Sequence, residues 1–392
     1  MSDCNPHTVV MVGTGATIGS GYTRCGHNLP GDRRFFGNPV VRELLESGRY
    51  PTLQLMLESF WKLHPMELDS VGLEEVWTFL EFAGKKFLRE SADLEEQQDG
   101  WLEAIRKPES QADDEHCLCK RYREDQTIPP SDEIDLLLLA GWDLRRLLSR
   151  VFEDLVPPRA TLPSDDHANR YKALLETFDI ATDDSTIFIS LNYDTVLEHA
   201  LNEARIRWHY RHVHSAVARD RRSIRILKPH GSLNWRFRGN VPSVWIDTAY
   251  ALAPVGCQSY EVNRFKEAMI IPPTQIKQAI MIAETQPPEV VQLFRAIWKE
   301  AVDVLAAASR VFVIGYSFPP TDLHLHTLFR LVGRKRNFEK FDEVFCCTKC
   351  DGQERTKNDE QDRKDFETTV RRFLPAKDPH FSHDGFEALV SP

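Results

Sequence analysis

Six short apolar runs rich in β-branched residues recur along the chain: Thr8 to Val12, Thr186 to Leu191, Ile224 to Leu227, Ala268 to Ile271, Arg310 to Ile314 and Glu343 to Cys346. Several are apolar on successive residues, not alternate ones, which is the pattern of strands buried on both faces. Helical patterns such as Thr195 to Ala204 and Glu289 to Ala308 lie between them. Strand then helix, repeated, predicts an α/β fold: a Rossmann-like parallel sheet with helices on both faces.

One interval departs from this rhythm. From about Asn38 to Ile180 the sequence holds no convincing strand. Leu73, Val76, Trp77 and Leu80 repeat at i, i+3, i+4 and i+7, and Ser131 precedes an apolar stripe through Leu137, Leu144, Leu148 and Val151. Both are helical signatures. The expected organisation is a core of residues 1–37 and 181–348, a large helical insertion at 38–180 and a charged C-terminal tail at 349–392. Within the tail, Asp351 to Arg372 reads as an exposed helix or mobile segment.

The 392 residues carry a formal net charge of −10, which argues against a protein whose main task is coating nucleic acid or an anionic membrane. The charge is uneven. Ser91 to Asp135 holds fourteen acidic and five basic residues, whereas Arg205 to Lys228 holds eight basic and one acidic. Solvated faces are the plain reading and complementary surfaces in an oligomer the sharper one; the basic stretch would also favour an anionic ligand beside it. No apolar run approaches the roughly 18 to 20 residues that span a bilayer, and Met1 leads almost directly into the first strand without a basic or cleavable leader. Eight unevenly placed Cys fit a reducing cytoplasm.

In an open parallel sheet, ligands bind outside the carboxyl ends of the strands. Four of the six runs end in unusual polar or glycine-containing sequences there: Gly13-Thr14-Gly15-Ala16-Thr17, Asn192-Tyr193-Asp194, His230-Gly231-Ser232 and Gly315-Tyr316-Ser317. The first opens a helix, where backbone N–H groups can approach a phosphate. Ile18 stands where a dehydrogenase fingerprint requires its third glycine, and no second strand about 20 residues on ends in a ribose-holding acid, so hydride transfer is disfavoured. Asp194 can cap the helix that follows, and Asn192 can close an Asx-turn. His230, held between Pro229 and Gly231, can exchange protons at cellular pH.

Cys117, Cys119, Cys346, Cys347 and Cys350 offer enough thiolates for zinc, and Cys347-x-x-Cys350 has suitable local spacing. Cys346 and Cys347 end an apolar strand, however, where cysteine behaves as a small hydrophobe, so no metal is expected. His324 and His326, two apart on a helix, face different ways. His209, His212 and His214 are expected in a solvated hairpin.

Taken in order, the four motifs resemble the sirtuin-like family, whose members carry a glycine loop, an Asn-x-Asp segment, a catalytic His-Gly and a late Gly-x-Ser. The matching segments are Gly13-Thr14-Gly15, Ser190 to Asp194, His230-Gly231 and Gly315-Tyr316-Ser317, within about residues 8–37 and 180–345. The Asn-Tyr-Asp wording, Lys228 to Trp235, Ile271-Pro272-Pro273-Thr274 and the ending Gly315 to Phe318 are similar to the bacterial antiphage branch. That branch includes the NAD-hydrolysing subunits of Thoeris and of defence pairs with a HerA-type ATPase. Two departures argue against an acyl-lysine deacylase: Gly21 leads into Tyr22-Thr23-Arg24, not the deacylase run Gly-Ile-Pro-Asp-Phe-Arg, and only Cys257 lies where the family's zinc module brings two Cys pairs.

The resemblance implies an NAD glycohydrolase with NAD as substrate, releasing ADP-ribose and nicotinamide. Gly13, Thr14, Gly15, Ala16 and Thr17 would receive the pyrophosphate, Gly315, Tyr316 and Ser317 the adenosine ribose, and Gly231 would border the dinucleotide. Asn192 would position the ribose or a water, His230 would act as general base toward a ribose hydroxyl or the water, and Asp194 would orient Asn192 or its neighbours. Deacylation, ADP-ribosyl transfer or a non-catalytic NAD-binding module are the alternatives. Since no G-x-x-x-x-G-K-[ST] phosphate loop occurs, control is expected from self-assembly or from a HerA-type ATPase partner.

Overall fold

The computed structural model describes residues 8–20, 35–61, 71–83, 136–155, 169–213, 222–238, 243–246, 268–270, 288–319, 322–348 and 357–390. The described strands are β1 (Thr8–Val12), β2 (Thr186–Ser190), β3 (Trp208–Tyr210), β4 (Ile224–Leu227), β5 (Gly231–Arg238), β6 (Ser243–Ile246), β7 (Ala268–Ile270), β8 (Arg310–Ile314), β9 (Phe341–Cys347) and β10 (Ala376–Ser382). Seven of them form one sheet in the order β10-β9-β8-β1-β2-β4-β3, and every pairing in it is parallel. β1 lies in the middle, in register with β2 and β8 along its whole length. Val9, Val10, Met11 and Val12 are all inaccessible to solvent, as unbroken apolar strands covered on both faces must be.

Helices connect the strands: α1 (Thr14–Ile18), α2 (Pro39–Glu46), α3 (Pro51–Trp61), α4 (Leu73–Ala83), α5 (Leu136–Leu155), α6 (Arg170–Thr177), α7 (Val196–Glu203), α8 (Pro288–Ala307), α9 (Leu323–Lys335), α10 (Lys357–Phe373) and α11 (Gly385–Val390). None of them is long and apolar enough to cross a membrane. From β1 the fold builds outward to β2, β4 and β3, then returns to place β8, β9 and β10 on the other side. The order therefore reverses between β1 and β8, where diverging connections open a crevice.

Between β1 and β2 all described elements are helices. The residues of α2 to α5 form a second hydrophobic cluster, separate from that of the sheet, centred on Phe36, Leu53, Val76, Trp77, Leu144 and Val151. Asp143 of α5 fixes the start of α3 by accepting from the backbone N–H groups of Thr52 and Leu53 and from the Thr52 hydroxyl. Ile18, Tyr193 and Ile270 pack against this cluster, so the insertion stands over the carboxyl edge of the sheet as a wall of the crevice.

Two expectations are corrected. Ala268 to Ile271 has the composition of a core strand, yet β7 pairs antiparallel with β5 in a separate sheet of order β6-β5-β7. The residues expected as a charged tail instead supply α10, β10 and α11. β10 extends the main sheet beside β9, and Phe366, Val370, Phe373, Leu374 and Phe386 join its core. Only the other face of α10 carries the charges.

Candidate active site

The four loops noted in the sequence follow β8, β1, β2 and β4, which are consecutive in the sheet, so they share one edge. The loops after β1 and β8 touch backbone to backbone. Gly15 N–H donates to Gly315 C=O at 2.9 Å, and Gly13 N–H to Ile314 C=O at 2.9 Å. A Cβ on Gly13 would come within 2.7 Å of the Gly315 oxygen, and one on Gly15 within 2.8 Å of the Gly315 Cα. Ala16 N–H is also engaged, on Gly13 C=O at 2.9 Å. The glycines thus permit two loops to meet, and three of the amides expected to face a phosphate are bonded within the protein. Thr14 and Ser317 are the exposed side chains of these two loops.

Asn192 joins the first two motifs. Its Nδ2 donates to Gly13 C=O at 2.9 Å and to Thr17 Oγ1 at 2.7 Å. The Thr17 hydroxyl in turn donates to Asp194 Oδ2 at 3.0 Å. With both amide protons engaged, the Asn192 carbonyl oxygen is the group left to accept from a ligand. Asp194 Oδ1 accepts from Val196 N–H at 2.9 Å, an Asx-turn that leads into α7, so Asp194 fixes the helix start and orients Asn192 through Thr17 at once. Burial pushes the Asp194 carboxyl up, against the pull of Lys228, the Val196 amide and the Thr17 hydroxyl. Thr17, one of the residues expected on the pyrophosphate, is buried and holds these two side chains instead.

His230 sits on a turn. Gly231 N–H donates to Lys228 C=O at 3.0 Å, with Pro229 in the second position and Gly231, at φ +83°, in the fourth. Its Nδ1 lies 3.1 Å from Leu191 C=O, in the segment that leads to Asn192. A carbonyl only accepts, so Nδ1 carries the proton and Nε2 is the basic nitrogen of the neutral ring. The rings of Tyr193 and Trp298 lie 6.2 and 5.8 Å from it. The residues proposed for chemistry, Asn192, Asp194 and His230, thus lie at the ends of the neighbouring strands β2 and β4, all nearly buried.

Residues 186–368 match the family model for the SIR2-like domain. This supports a sirtuin-like family. SIR2-like domains are generally NAD-dependent enzymes, and the match fits an NAD-related function. It covers three of the four loops, those after β2, β4 and β8, and most of α10. No curated protein significantly matches the sequence.

Other residues within the matched segment lie differently from expectation. Tyr316 is buried, and its hydroxyl donates to Asp322 Oδ2 at 3.2 Å, which pins the start of α9 rather than reaching outward. His209 is buried on Ser223 Oγ at 2.8 Å, and His212 meets Glu300 Oε2 at 2.5 Å, so neither lies in a solvated hairpin; His214 is outside the described residues. Arg211 and Arg225 also bond Glu300, each at 2.8 Å. A carboxylate from α8 has therefore drawn part of the basic stretch inward, away from any anionic ligand. Cys346 and Cys347 are buried free thiols. Burial raises both, Cys347 to about 11, so they stay protonated; Cys117, Cys119, Cys257 and Cys350 lie outside the described residues. Among the described residues no three His, Cys, Asp or Glu side chains gather to hold a metal ion. His324 faces Trp298 while His326 stacks on Phe373, on different sides of α9.

Glu300 yields a pH prediction. Burial alone would raise its carboxyl, but His212, Arg211 and Arg225 outweigh it and hold it below the usual range. Its folded pKa lies below its unfolded one, so its contribution is complete above the unfolded value, about 4.3, and is lost as pH falls through the folded value. Urea denaturation is expected to show stability declining on that acid side. Glu300→Gln should lower stability at pH 7 by about 1–3 kcal/mol and flatten the decline. An unchanged acid limb in the variant would assign it to other carboxylates.

Proposed function

We propose that this protein is an NAD glycohydrolase, cleaving NAD with water to ADP-ribose and nicotinamide. The observation that carries the reading is that Asn192, held with Asp194 through Thr17, and His230, held on the Leu191 carbonyl, stand at neighbouring strand ends, beside the joined glycine loops. The match to a SIR2-like domain supports NAD as the substrate. The rim suits a dinucleotide in that the exposed Thr14 and Ser317, on loops that the glycines bring together, offer hydroxyls to phosphate and ribose.

The bond between ribose C1′ and the nicotinamide nitrogen breaks, and its electron pair leaves with the nitrogen. Nicotinamide departs neutral, so no acid is needed. Water must reach C1′ and give up a proton. The Asn192 carbonyl oxygen would hold that water or a ribose hydroxyl, and His230 Nε2 would take the proton, a step that typically contributes 10²- to 10⁴-fold. The crevice wall formed by the helical insertion would keep other nucleophiles out.

The physiological role proposed is that of an antiphage effector in the cytoplasm, restrained until it self-assembles or meets a HerA-type ATPase. Incubating the protein with NAD over a range of protein concentrations, and following nicotinamide, tests the reading. Release is expected without any acceptor and is expected to rise more steeply than protein concentration. Release only with an acyl-lysine peptide would assign a deacylase, and binding without release would leave a binding module.

A further inference from the structure

Lys228, the residue after β4, has no solvent-accessible side chain, and it is not part of the proposed chemistry. Its ammonium donates to the backbone carbonyl of Asp194 and to Glu198 Oε1, the latter at 3.1 Å. Glu198, also buried, accepts the Tyr210 hydroxyl on the same oxygen. Taking an ammonium and a carboxylate out of water costs more than their attraction commonly offsets, and an apolar pair would serve stability as well. Such a pair calls for another explanation, and its geometry supplies one.

The segment Lys228 to Leu233 grips the segment Leu191 to Asp194 at three carbonyls. His230 Nδ1 lies 3.1 Å from Leu191 C=O. Leu233 N–H and Ser232 Oγ donate to Tyr193 C=O at 2.9 and 3.2 Å. Lys228 holds Asp194 C=O, and it is the charged member of the set. Lys228 stands two residues from His230, and Asp194 two residues from Asn192. We propose that Lys228 is a positioning residue: its ammonium, anchored on Glu198 and Tyr210, sets the spacing between the Asn192–Asp194 segment and the His230 turn. The proposal rests on the glycohydrolase reading for its catalytic consequence, though not for the geometry it predicts.

Lys228→Met alone would leave the Glu198 carboxylate buried beside an apolar side chain, and loss of fold would not discriminate. The informative variant is Lys228→Met/Glu198→Gln, which removes both charges, with Tyr210→Phe as a milder loosening of the anchor. Thermal melting establishes the folded state. Nicotinamide release is then separated into kcat and KM, and ¹⁵N-histidine spectra are recorded without NAD, the His230 signals being assigned by their loss in His230→Ala.

In the folded double variant, kcat is expected to fall about 100-fold with KM changed less than about threefold, because a displacement of about 1 Å costs that much. Tyr210→Phe is expected to lower kcat about fivefold, the worth of one hydrogen bond. The His230 ring signals should move in both. His230 signals that superimpose on those of the wild type in both variants, or a loss confined to KM, would overturn the proposal. If the wild type itself releases no nicotinamide, the glycohydrolase reading fails, and the spectra still decide whether Lys228 positions His230.

Discussion

Gly315→Ala is expected to destabilise the protein by about 3–5 kcal/mol, among the largest effects a single methyl group can have. Gly315 adopts φ +68°, a left-handed conformation that costs an alanine about 1 kcal/mol by itself. The rest comes from position. The added Cβ would fall 1.9 Å from the Ala16 nitrogen and 2.3 Å from the Gly15 carbonyl carbon. Both are backbone atoms, so no rotamer change relieves the clash. Instead the loops after β1 and β8 must separate, which breaks the Gly15–Gly315 hydrogen bond. Gly48 provides the control, with φ +69° but no atom within 4 Å of its would-be Cβ. Gly48→Ala should cost only the backbone strain. Urea midpoints for the two variants distinguish these contributions, and equal losses would mean that the loop contact is not tight.

His230→Ala and Asn192→Ala are each expected to lower nicotinamide release 10²- to 10⁴-fold while the protein stays folded. The two losses have different origins. His230→Ala removes the base and its contact to Leu191. Asn192→Ala removes the carbonyl oxygen proposed to hold the water, and it also strips Gly13 C=O and Thr17 of a shared donor. The second variant should therefore melt lower than the first. Asn192→Asp sharpens the distinction, because a carboxylate would face Gly13 C=O without a proton to offer. It should be no more active than Asn192→Ala. Full activity in any of the three would remove that residue from the mechanism.

Five strands of the parallel sheet, β1, β2, β4, β8 and β9, could be read from the sequence because each carries a short apolar run, and strands covered by helices on both sides leave that local mark. β10 could not. Ala376–Ser382 contains Lys377, Asp378 and Pro379, tolerated because it is an edge strand. Its membership depends on Phe366, Val370 and Phe373 of α10 reaching the core, a fact of packing. α7 and α8 were legible within a residue or so by their 3.6 periodicity. That the insertion would form a wall beside Tyr193 was not, since nothing local to Tyr193 records what stands over it.

The site shows the same division. Loop chemistry at strand ends singles out Asn192, Asp194, His230 and Gly315, because amides, imidazoles and glycines placed there have few other local reasons. What each does depends on partners far along the sequence. Thr17 and Asp194 are 177 residues apart, and their bond turns an expected phosphate ligand into the residue that orients Asn192. Lys228 looked like one more charge in a basic stretch until Glu198 and the Asp194 carbonyl enclosed it. His212, Arg211 and Arg225 looked like solvent-facing cations until Glu300 met them. The sequence by itself determined the central strands of the parallel sheet, several helices and which loops gather at the candidate site, since periodicity and residue type act over a few neighbouring positions. Only the tertiary structure decided whether each polar group meets water, a ligand or a buried partner, because that depends on which distant segment excludes the solvent around it.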